Sequence, residues 1–250
     1  MTNIILSGCN GKMGQVITRL CAADETVKIV CGVDINTEKK SDYPVYSSYN
    51  EIKEKGDVII DFSHPSNLNP SMEYAINTNT AIIVATTGLS KEQIDYVKAS
   101  GEKIPVFYSA NMSLGINLII SLVKKAVAIL EDNFDIEIIE KHHNQKIDAP
   151  SGTAIMIADA IKEEMKEEAE YVYDRHSVRE KRQKKEIGIS AVRGGTIVGE
   201  HQVLFAGNDE QIEFKHTATS KEVFAVGAIK AAKFLCGKGA GLYNMSDLME

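Results

Sequence analysis

The sequence predicts an α/β protein with an N-terminal Rossmann-type parallel-sheet domain and a C-terminal α+β domain built on an open sheet. Three observations support this prediction. The first hundred residues alternate apolar strands with amphipathic helices, a glycine-rich turn follows the first strand, and the strand pattern changes after residue 112. Apolar strands that alternate with helices are typical of a parallel sheet that is covered on both faces.

The N-terminal elements follow one another at short intervals. Apolar runs that stop at glycine or polar residues predict five strands, at residues 4–7, 27–33, 58–62, 81–85 and 105–108. Apolar residues at helical spacing predict helices over 12–23 and 67–77, and Ser90 is expected to cap a third helix. This order is that of repeated strand–helix units in a nucleotide-binding domain.

The pattern after residue 112 predicts a different kind of domain. Its expected elements are a long apolar helix, a half-exposed strand, a second helix, three consecutive strands and an amphipathic helix, at 114–130, 134–140, 153–168, 187–192, 196–205, 211–217 and 223–235. We therefore expect a dinucleotide-binding domain at 1–112 and a second domain at 113–222. Periodicity alone leaves open whether the last helix returns to the first domain.

The composition excludes several classes of protein. A net charge of −7, from 28 basic and 35 acidic residues, argues against a general nucleic-acid binder. No run of 18 apolar residues predicts a membrane span, and the short apolar run near the N-terminus lacks the basic start of a signal peptide, so we expect a cytoplasmic protein. The spacing of the four cysteines does not match a zinc site, so we expect no metal site. We expect these cysteines to be buried apolar side chains; they are Cys9, Cys21, Cys31 and Cys236.

A glycine-rich loop follows the first predicted strand. It reads Gly8-Cys9-Asn10-Gly11-Lys12-Met13-Gly14, a G-x-x-G-x-x-G variant of the dinucleotide fingerprint, between a strand and a helix. Glycines let a pyrophosphate approach the N–H groups at a helix N-terminus. Asp34 ends the second strand, where an acid accepts hydrogen bonds from the adenosine ribose. The alternative interpretation is a tight glycine turn that binds nothing.

The cofactor preference and its further contacts depend on residues beyond this loop. Asp34 should repel the 2′-phosphate of NADPH, so we expect NADH to be used, although Lys39 and Lys40 could offset that repulsion. Two loops with small polar residues follow the fourth and fifth strands and predict contacts with the nicotinamide and its ribose, at 85–88 and 109–112. Ordinary turn chemistry is the alternative for both loops.

The densest polar segment, 140–153, lies between a predicted strand and a predicted helix. It contains His142, His143 and Lys146, and it ends in the helix-start signal Ser151-Gly152-Thr153. A helix N-terminus and a lysine both attract a carboxylate, and histidines titrate near neutral pH. The segment therefore indicates a site for an anionic substrate with an acid available. The alternative is a polar loop with surface histidines.

The other histidines have no comparable neighbours in the sequence. We expect them to be surface or structural residues; they are His64, His176, His201 and His216. Residues 175–185 hold six basic side chains and predict a solvated, mobile loop in preference to an anion-binding arm.

The whole chain resembles the 4-hydroxy-tetrahydrodipicolinate reductase (dihydrodipicolinate reductase) family. Its most specific element lies within residues 137–153, which fit the family pattern E-x-H-H-x-x-K-x-D-A-P-S-G-T without a break. Supporting matches are spread along the chain, at 8–14, 61–63, 86–88, 110–111, 192–195, 197–201 and 241–243.

The resemblance implies a fold, a reaction and an assembly. A Rossmann domain would be joined to a C-terminal domain that binds substrate and builds a homotetramer, with 223–250 rejoining the first domain. The implied reaction is the NAD(P)H-dependent reduction of the cyclic dicarboxylate imine from 4-hydroxy-tetrahydrodipicolinate to tetrahydrodipicolinate, in lysine and diaminopimelate biosynthesis. No nucleic acid or membrane partner is implied.

Residue roles follow from the same resemblance. His142 is the implied acid/base residue and Lys146 the implied proton donor. The implied substrate-binding residues are His143, Lys146, Ser151, Gly152 and Thr153. The implied cofactor contacts are Gly8, Cys9, Asn10, Gly11, Lys12, Met13, Asp34, Ala85, Thr86, Thr87, Ser109, Ala110, Asn111 and Met112.

Two positions depart from the family pattern. Ile35 stands where some members have a basic residue, which argues against strong NADPH use, and Ala85 stands where many have glycine. Two alternative functions stay open at this point: a different NAD(P)H-dependent reductase on the same scaffold, and a non-enzymatic NADH-binding sensor.

Overall fold

The computed structural model describes residues 1–177 and 179–249 and divides the chain into two compact units. The first unit comprises 1–114 and the chain from Glu222 onward, and the second comprises Gly115–Lys221. In the described part of the chain, no helix is long and apolar enough to cross a membrane.

The first unit is built on a seven-stranded parallel sheet. Strands are numbered along the whole chain, and those of this sheet are β1 (Thr2–Ser7), β2 (Val27–Val33), β3 (Val45–Tyr46), β4 (Val58–Asp61), β5 (Ala81–Val84), β6 (Pro105–Tyr108) and β12 (Gly241–Tyr243). Their spatial order is β12-β6-β5-β4-β1-β2-β3. β2 and β3 lie on one side of β1, whereas β4, β5 and β6 lie on the other, so the strand order reverses between β1 and β4. In sheets of this kind, ligands bind at the point where the strand order reverses.

Helices cover both faces of this sheet. They are α1 (Lys12–Ala22), α2 (Leu68–Thr78), α3 (Lys91–Ser100) and α6 (Glu222–Leu235). Ile4 and Leu6 pack in one buried cluster with residues of α1 and α6, whereas Ile5 packs in the other with residues of α2 and α3. The strands are apolar on both faces because each face is buried, and the predicted Rossmann-type class is confirmed.

The second unit is built on a five-stranded mixed sheet. Its strands are β7 (Asp135–His142), β8 (Glu170–Val172), β9 (Glu186–Arg193), β10 (Gly199–Ala206) and β11 (Gln211–Ala218), in the order β11-β10-β7-β9-β8. β10 is antiparallel to β7 and β11, while β9 is parallel to β7 and β8. The helices α4 (Leu114–Leu130) and α5 (Gly152–Glu164) bury their apolar residues in one cluster with inward residues of the sheet. The predicted α+β domain with an open sheet is thus confirmed.

Several predicted boundaries differ from the observed ones. The helix predicted over 153–168 ends at Glu164, because four glutamates between 163 and 168 oppose the negative end of the helix dipole. The strand predicted over 196–205 begins only at Gly199. Periodicity did not predict β3, β8 or β12, which have two or three residues each and are too short to show a period.

The basic segment 175–185 is less solvated than the sequence predicts. Arg182 donates to the carboxylates of Asp135 and Glu137 and to the backbone oxygens of Ile136 and Glu186. These acceptors lie at the start of β7 and of β9, so Arg182 anchors the segment to the sheet. The other described residues are mostly exposed, and Val178 lies outside the described residues.

Candidate active site

The glycine-rich loop requires glycine at its first and last positions. Gly8 has a φ of +74°, and a Cβ built there would lie 2.8 Å from the carbonyl oxygen of Phe62. A Cβ on Gly14 would lie 2.2 Å from the carbonyl oxygen of Gly8. The loop therefore packs backbone against backbone where β1 passes into α1. The N-terminus of α1 has no side-chain cap and no acidic residue in its first turn, which suits an anionic ligand.

Asp34 is held beside this loop by backbone donors. Its Oδ2 accepts from the N–H of Asn10 at 2.9 Å, and its Oδ1 accepts from the N–H of Asn36 at 3.0 Å. The amide of Asn10 in turn donates to the carbonyls of Asn36 and Glu38, at 2.6 and 2.9 Å. The acid, the glycine loop and the segment after β2 thus form one connected structure.

Cys9 packs away from the ligand side of the loop. Its side chain is fully buried, and its Sγ lies 2.4 Å from where a Cβ on Gly32 would stand. Burial, with a smaller contribution from Asp34, raises the pKa of the Cys9 thiol to about 11. Only the backbone of Cys9 is therefore placed to meet a cofactor. Cys21 and Cys31 are also buried, whereas Cys236 is exposed, contrary to the expectation for all four.

A buried carboxylate organises the loops at the ends of β4 and β5. Asp61 has no exposed surface and accepts hydrogen bonds from the N–H and hydroxyl of Ser63, from Ser71 and, at 3.3 Å, from Thr86. Thr86 is buried while Thr87 is exposed. The loop after β6 has its own local bonds, from Ser109 Oγ to the carbonyl of Asn111 and from the N–H of Ser113 to Asn111 Oδ1.

In the second unit, strand β7 carries alternate residues to its buried face. Ile136, Ile138, Glu140 and His142 are buried, whereas the residues between them are partly exposed. The period of two places Glu140 and His142 side by side on the face covered by α4 and α5. The intervening Lys141 lies on the other face and pairs with Glu200 at 3.4 Å.

Glu140 is the centre of a buried hydrogen-bond network. Its Oε2 lies 2.6 Å from His142 Nδ1, and its Oε1 accepts from the backbone N–H of Ser151 at 2.9 Å. Arg193 donates to both oxygens, at 2.8 and 2.7 Å. Burial raises the pKa of the Glu140 carboxyl, but the bonds from Arg193, His142 and Ser151 outweigh burial, and the pKa lies below its ordinary value.

His201 also belongs to this network, although the sequence predicted only a surface or structural role for it. It lies opposite Glu140 on β10, and its ring stands edge-on to that of His142 with 5.1 Å between centroids. Its Nε2 lies 3.0 Å from the hydroxyl of Ser151, which caps α5 by accepting from the N–H of Ala154. Burial, followed by repulsion from His142, lowers the pKa of His201 to about 4, so this ring is neutral at neutral pH.

The loop between β7 and α5 carries Lys146. Its Nζ pairs with Asp148 at 2.8 Å, and the hydrogen bond from Lys146 holds the pKa of the Asp148 carboxyl below its ordinary value. His143 is partly exposed, and its carbonyl accepts from the N–H of Lys146 in a turn. At the start of α5, a Cβ built on Gly152 would meet no atom within 4 Å, so the space beside Gly152 is open.

Two ranges that together cover almost the whole chain match the sequence models of one family. Residues 2–112 match "Dihydrodipicolinate reductase, N-terminus" and residues 115–249 match "Dihydrodipicolinate reductase, C-terminus". The chain belongs to the dihydrodipicolinate reductase family. The predicted family is therefore confirmed, and with it an NAD(P)H-dependent oxidoreductase of lysine and diaminopimelate biosynthesis.

Similar proteins agree with this membership over their full length. A 4-hydroxy-tetrahydrodipicolinate reductase of Caldanaerobacter subterraneus is 54% identical over 250 residues, covering 100% of this chain and 99% of that protein. One of Clostridium tetani is 49% identical over 249 residues, covering 100% and 97%. A dipicolinate-bound dihydrodipicolinate reductase structure from Paenisporosarcina shares the fold, with a TM-score of 0.83, 24% identity and coverage of 98% and 97%.

The structure joins predicted and unpredicted residues in one hydrogen-bond network. His142 and Ser151 were predicted from the sequence, and both contact Glu140. Arg193 and His201 were not singled out as site residues, because they lie 42 or more positions after Ser151. Their presence in the motifs at 192–195 and 197–201 could have found both, and the period of two in β10 could have found His201.

Proposed function

We propose that the first unit of this reductase holds the nicotinamide cofactor and the second binds and protonates the substrate. That substrate is the cyclic imine from 4-hydroxy-tetrahydrodipicolinate, and the product is tetrahydrodipicolinate. The observation that carries the proposal is the segment from Glu140 to the start of α5. It combines a buried carboxylate–histidine pair, a lysine and a helix N-terminus with open space beside Gly152, in the unit that follows the dinucleotide-binding loop.

The cofactor fits the structure of the first unit. The glycine loop and the uncapped N-terminus of α1 would hold the pyrophosphate, with backbone donors of 8–13, while Asp34 accepts from the ribose hydroxyls. The loops 85–87 and 109–112 would contact the nicotinamide and its ribose. When bound, the reduced nicotinamide supplies the hydride.

Asp34 and its neighbours favour NADH. Asp34 lies beside the glycine loop, where its oxygens accept from the N–H groups of Asn10 and Asn36, and the next residue, Ile35, is fully exposed and offers no positive charge. Lys40 pairs with Glu38 at 3.6 Å, so part of its charge is already compensated. A 2′-phosphate would therefore meet the carboxylate of Asp34, with Lys39 and the partly compensated Lys40 as the basic residues that follow it.

A substrate carboxylate would bind at the N-terminus of α5. Gly152 leaves space there, and the N–H groups of Gly152 and Thr153 belong to the positive end of the helix dipole. The hydroxyl of Ser151 serves mainly to cap the helix, while His143 and Lys146 supply polar and charged groups from the preceding loop. The dipicolinate bound to the Paenisporosarcina relative is a planar dicarboxylate and supports this substrate class.

Protonation completes the reduction. Hydride addition to the conjugated imine leaves an electron-rich enamine, which takes up a proton at carbon. Lys146 donates that proton from its ammonium group, which pairs with Asp148 at 2.8 Å. His142 exchanges protons through Nε2, because its Nδ1 faces Glu140, and a carboxylate only accepts hydrogen bonds.

We also propose a cytoplasmic homotetramer. One face of the second sheet is covered by α4 and α5, while apolar side chains such as Ile139, Leu204 and Val192 remain partly or fully exposed to solvent. Burying them against another copy would remove apolar surface from water. A cytoplasmic location fits a reaction that consumes reduced nicotinamide cofactor.

The test is cofactor oxidation at 340 nm, with substrate generated in the cuvette from pyruvate and aspartate semialdehyde by the preceding synthase. We expect rapid oxidation and a loss of about 10²–10⁴-fold in kcat for Lys146→Ala. Lys141→Ala is the matched control, since Lys141 lies on the opposite face of β7 and its partner Glu200 keeps Lys215 at 2.8 Å. Wild-type protein that binds NADH but oxidises neither cofactor would contradict the proposed substrate and favour another reductase or a sensor.

A further inference from the structure

Arg193 reaches into the buried network from the neighbouring strand. Its two terminal nitrogens donate to the two oxygens of Glu140, at 2.8 and 2.7 Å, in a bidentate pair. Arg193 lies opposite His142 in the pairing of β9 with β7, and one of the same nitrogens donates to the backbone carbonyl of Asp148 at 2.6 Å. One guanidinium therefore links β9, β7 and the loop that carries Lys146.

The position of Glu140 makes this cation necessary. Its carboxylate has no exposed surface, and an isolated buried carboxylate takes up a proton because the neutral form is favoured in an apolar environment. Its other donors are the N–H of Ser151 and the ring of His142, which are neutral groups when His142 is unprotonated. Arg193 is the permanently charged group in direct contact with Glu140.

We propose that Arg193 is a positioning residue, which keeps Glu140 ionised so that Glu140 fixes the tautomer of His142. An ionised Glu140 only accepts, so His142 must donate from Nδ1, and Nε2 is left for proton exchange. A protonated Glu140 could donate instead, which would reverse the tautomer. The inference rests on the role proposed for His142, but the state of the ring can be measured without turnover.

Other groups around His142 do not supply this control. His201 faces the ring of His142 edge-on, and burial keeps its pKa low and its charge absent at neutral pH. The titratable and charged groups on the surrounding elements are Glu140 on β7, Arg193 on β9, His201 on β10, His216 on β11, and Lys146 and Asp148 on the loop before α5. Glu140 holds the hydrogen bond to the Nδ1 of His142.

The experiment is a pH titration of the histidine rings by ¹⁵N NMR in the full chain without substrate or cofactor. His142→Asn assigns the signal. At pH values where the wild-type ring is neutral, we expect its proton on Nδ1. In Glu140→Gln we expect the titration midpoint of His142 to fall by about one pH unit or more, as loss of a neighbouring anion predicts. In Arg193→Leu, if it folds, Glu140 takes up a proton, and we expect the neutral ring of His142 to carry its proton on Nε2 instead of Nδ1. Arg193→Lys keeps the charge but loses the bidentate pair, so a smaller shift is expected.

Arg182→Lys is the matched control. Arg182 is about as buried as Arg193 and also binds carboxylates of β7, but at the opposite end of that strand. We expect this variant to leave the His142 midpoint and tautomer unchanged. The same downward shift should appear in the acidic limb of the pH profile of kcat/KM. An unchanged His142 tautomer in a folded Arg193→Leu, an unchanged His142 midpoint in Glu140→Gln, or equal shifts in Arg182→Lys would overturn the inference. Absence of turnover in the wild type would instead contradict the proposed function alone.

Discussion

Replacing Gly152 with alanine should weaken substrate binding without destabilising the protein. Gly152 is the first residue of α5, and a Cβ built there meets no atom within 4 Å. The backbone is not left-handed at this position, so alanine introduces no strain. Alanine is favoured over glycine in helices by up to about 1 kcal/mol, and we expect the free energy of unfolding to stay equal or rise slightly.

The substitution should instead weaken the binding of the ligand. The added methyl group would occupy the space in which we place a substrate carboxylate, next to the N–H groups at the helix start. Hydrogen bonds to a charged group contribute about 1.5–3 kcal/mol each. Losing one such bond should therefore raise the dissociation constant of a dicarboxylate about 10- to 150-fold.

Dipicolinate is a suitable probe, with its dissociation constant measured by calorimetry and unfolding followed in the same samples. Gly239→Ala is the matched control, because a Cβ there also meets no atom within 4 Å and Gly239 lies in the first unit. We expect the control to bind dipicolinate like the wild type. Unchanged dipicolinate binding in a stable Gly152→Ala variant would refute the placement of the carboxylate at α5.

Three further predictions concern His142, Asp34 and His201. His142→Ala should lower kcat by about 10²–10⁴-fold as a lost general acid/base, and steady-state kinetics with an unchanged kcat would remove His142 from the mechanism. Asp34→Ala should weaken NADH binding and improve the relative use of NADPH, measured as the ratio of kcat/KM values; a wild-type preference for NADPH well above tenfold would contradict the role of Asp34. His201 has a folded pKa of about 4 against 6.5 when free, so the unfolded chain binds more protons between these values and stability falls as pH falls. Denaturant unfolding at pH 7 and pH 4 should show a loss on the order of 3 kcal/mol from this residue, reduced in His201→Gln. An equal loss in both proteins would disprove the assignment.

Local patterns were sufficient for most of the fold. The strands β2 and β6 and the helix α4 have the predicted bounds, because runs of apolar residues with clear period depend on burial alone. The short edge strands were not predictable, since two or three residues form a strand only where a neighbouring strand offers hydrogen bonds. The contacts of loop residues were also only partly predictable, since the sequence did not predict that Arg182 binds β7 and β9.

The sequence by itself determined the two kinds of sheet, the glycine loop with Asp34, and the polar segment from Glu140 to Thr153. Each of these features lies within a short stretch of the chain, and its residue types and spacing are sufficient to predict it. Only the tertiary structure decided that Arg193 and His201 join that segment. Their contacts to Glu140 and Ser151 join residues that are 53 and 50 positions apart in the chain. Strand order and register place Arg193 and His201 on the buried face, and both depend on how the whole sheet assembles.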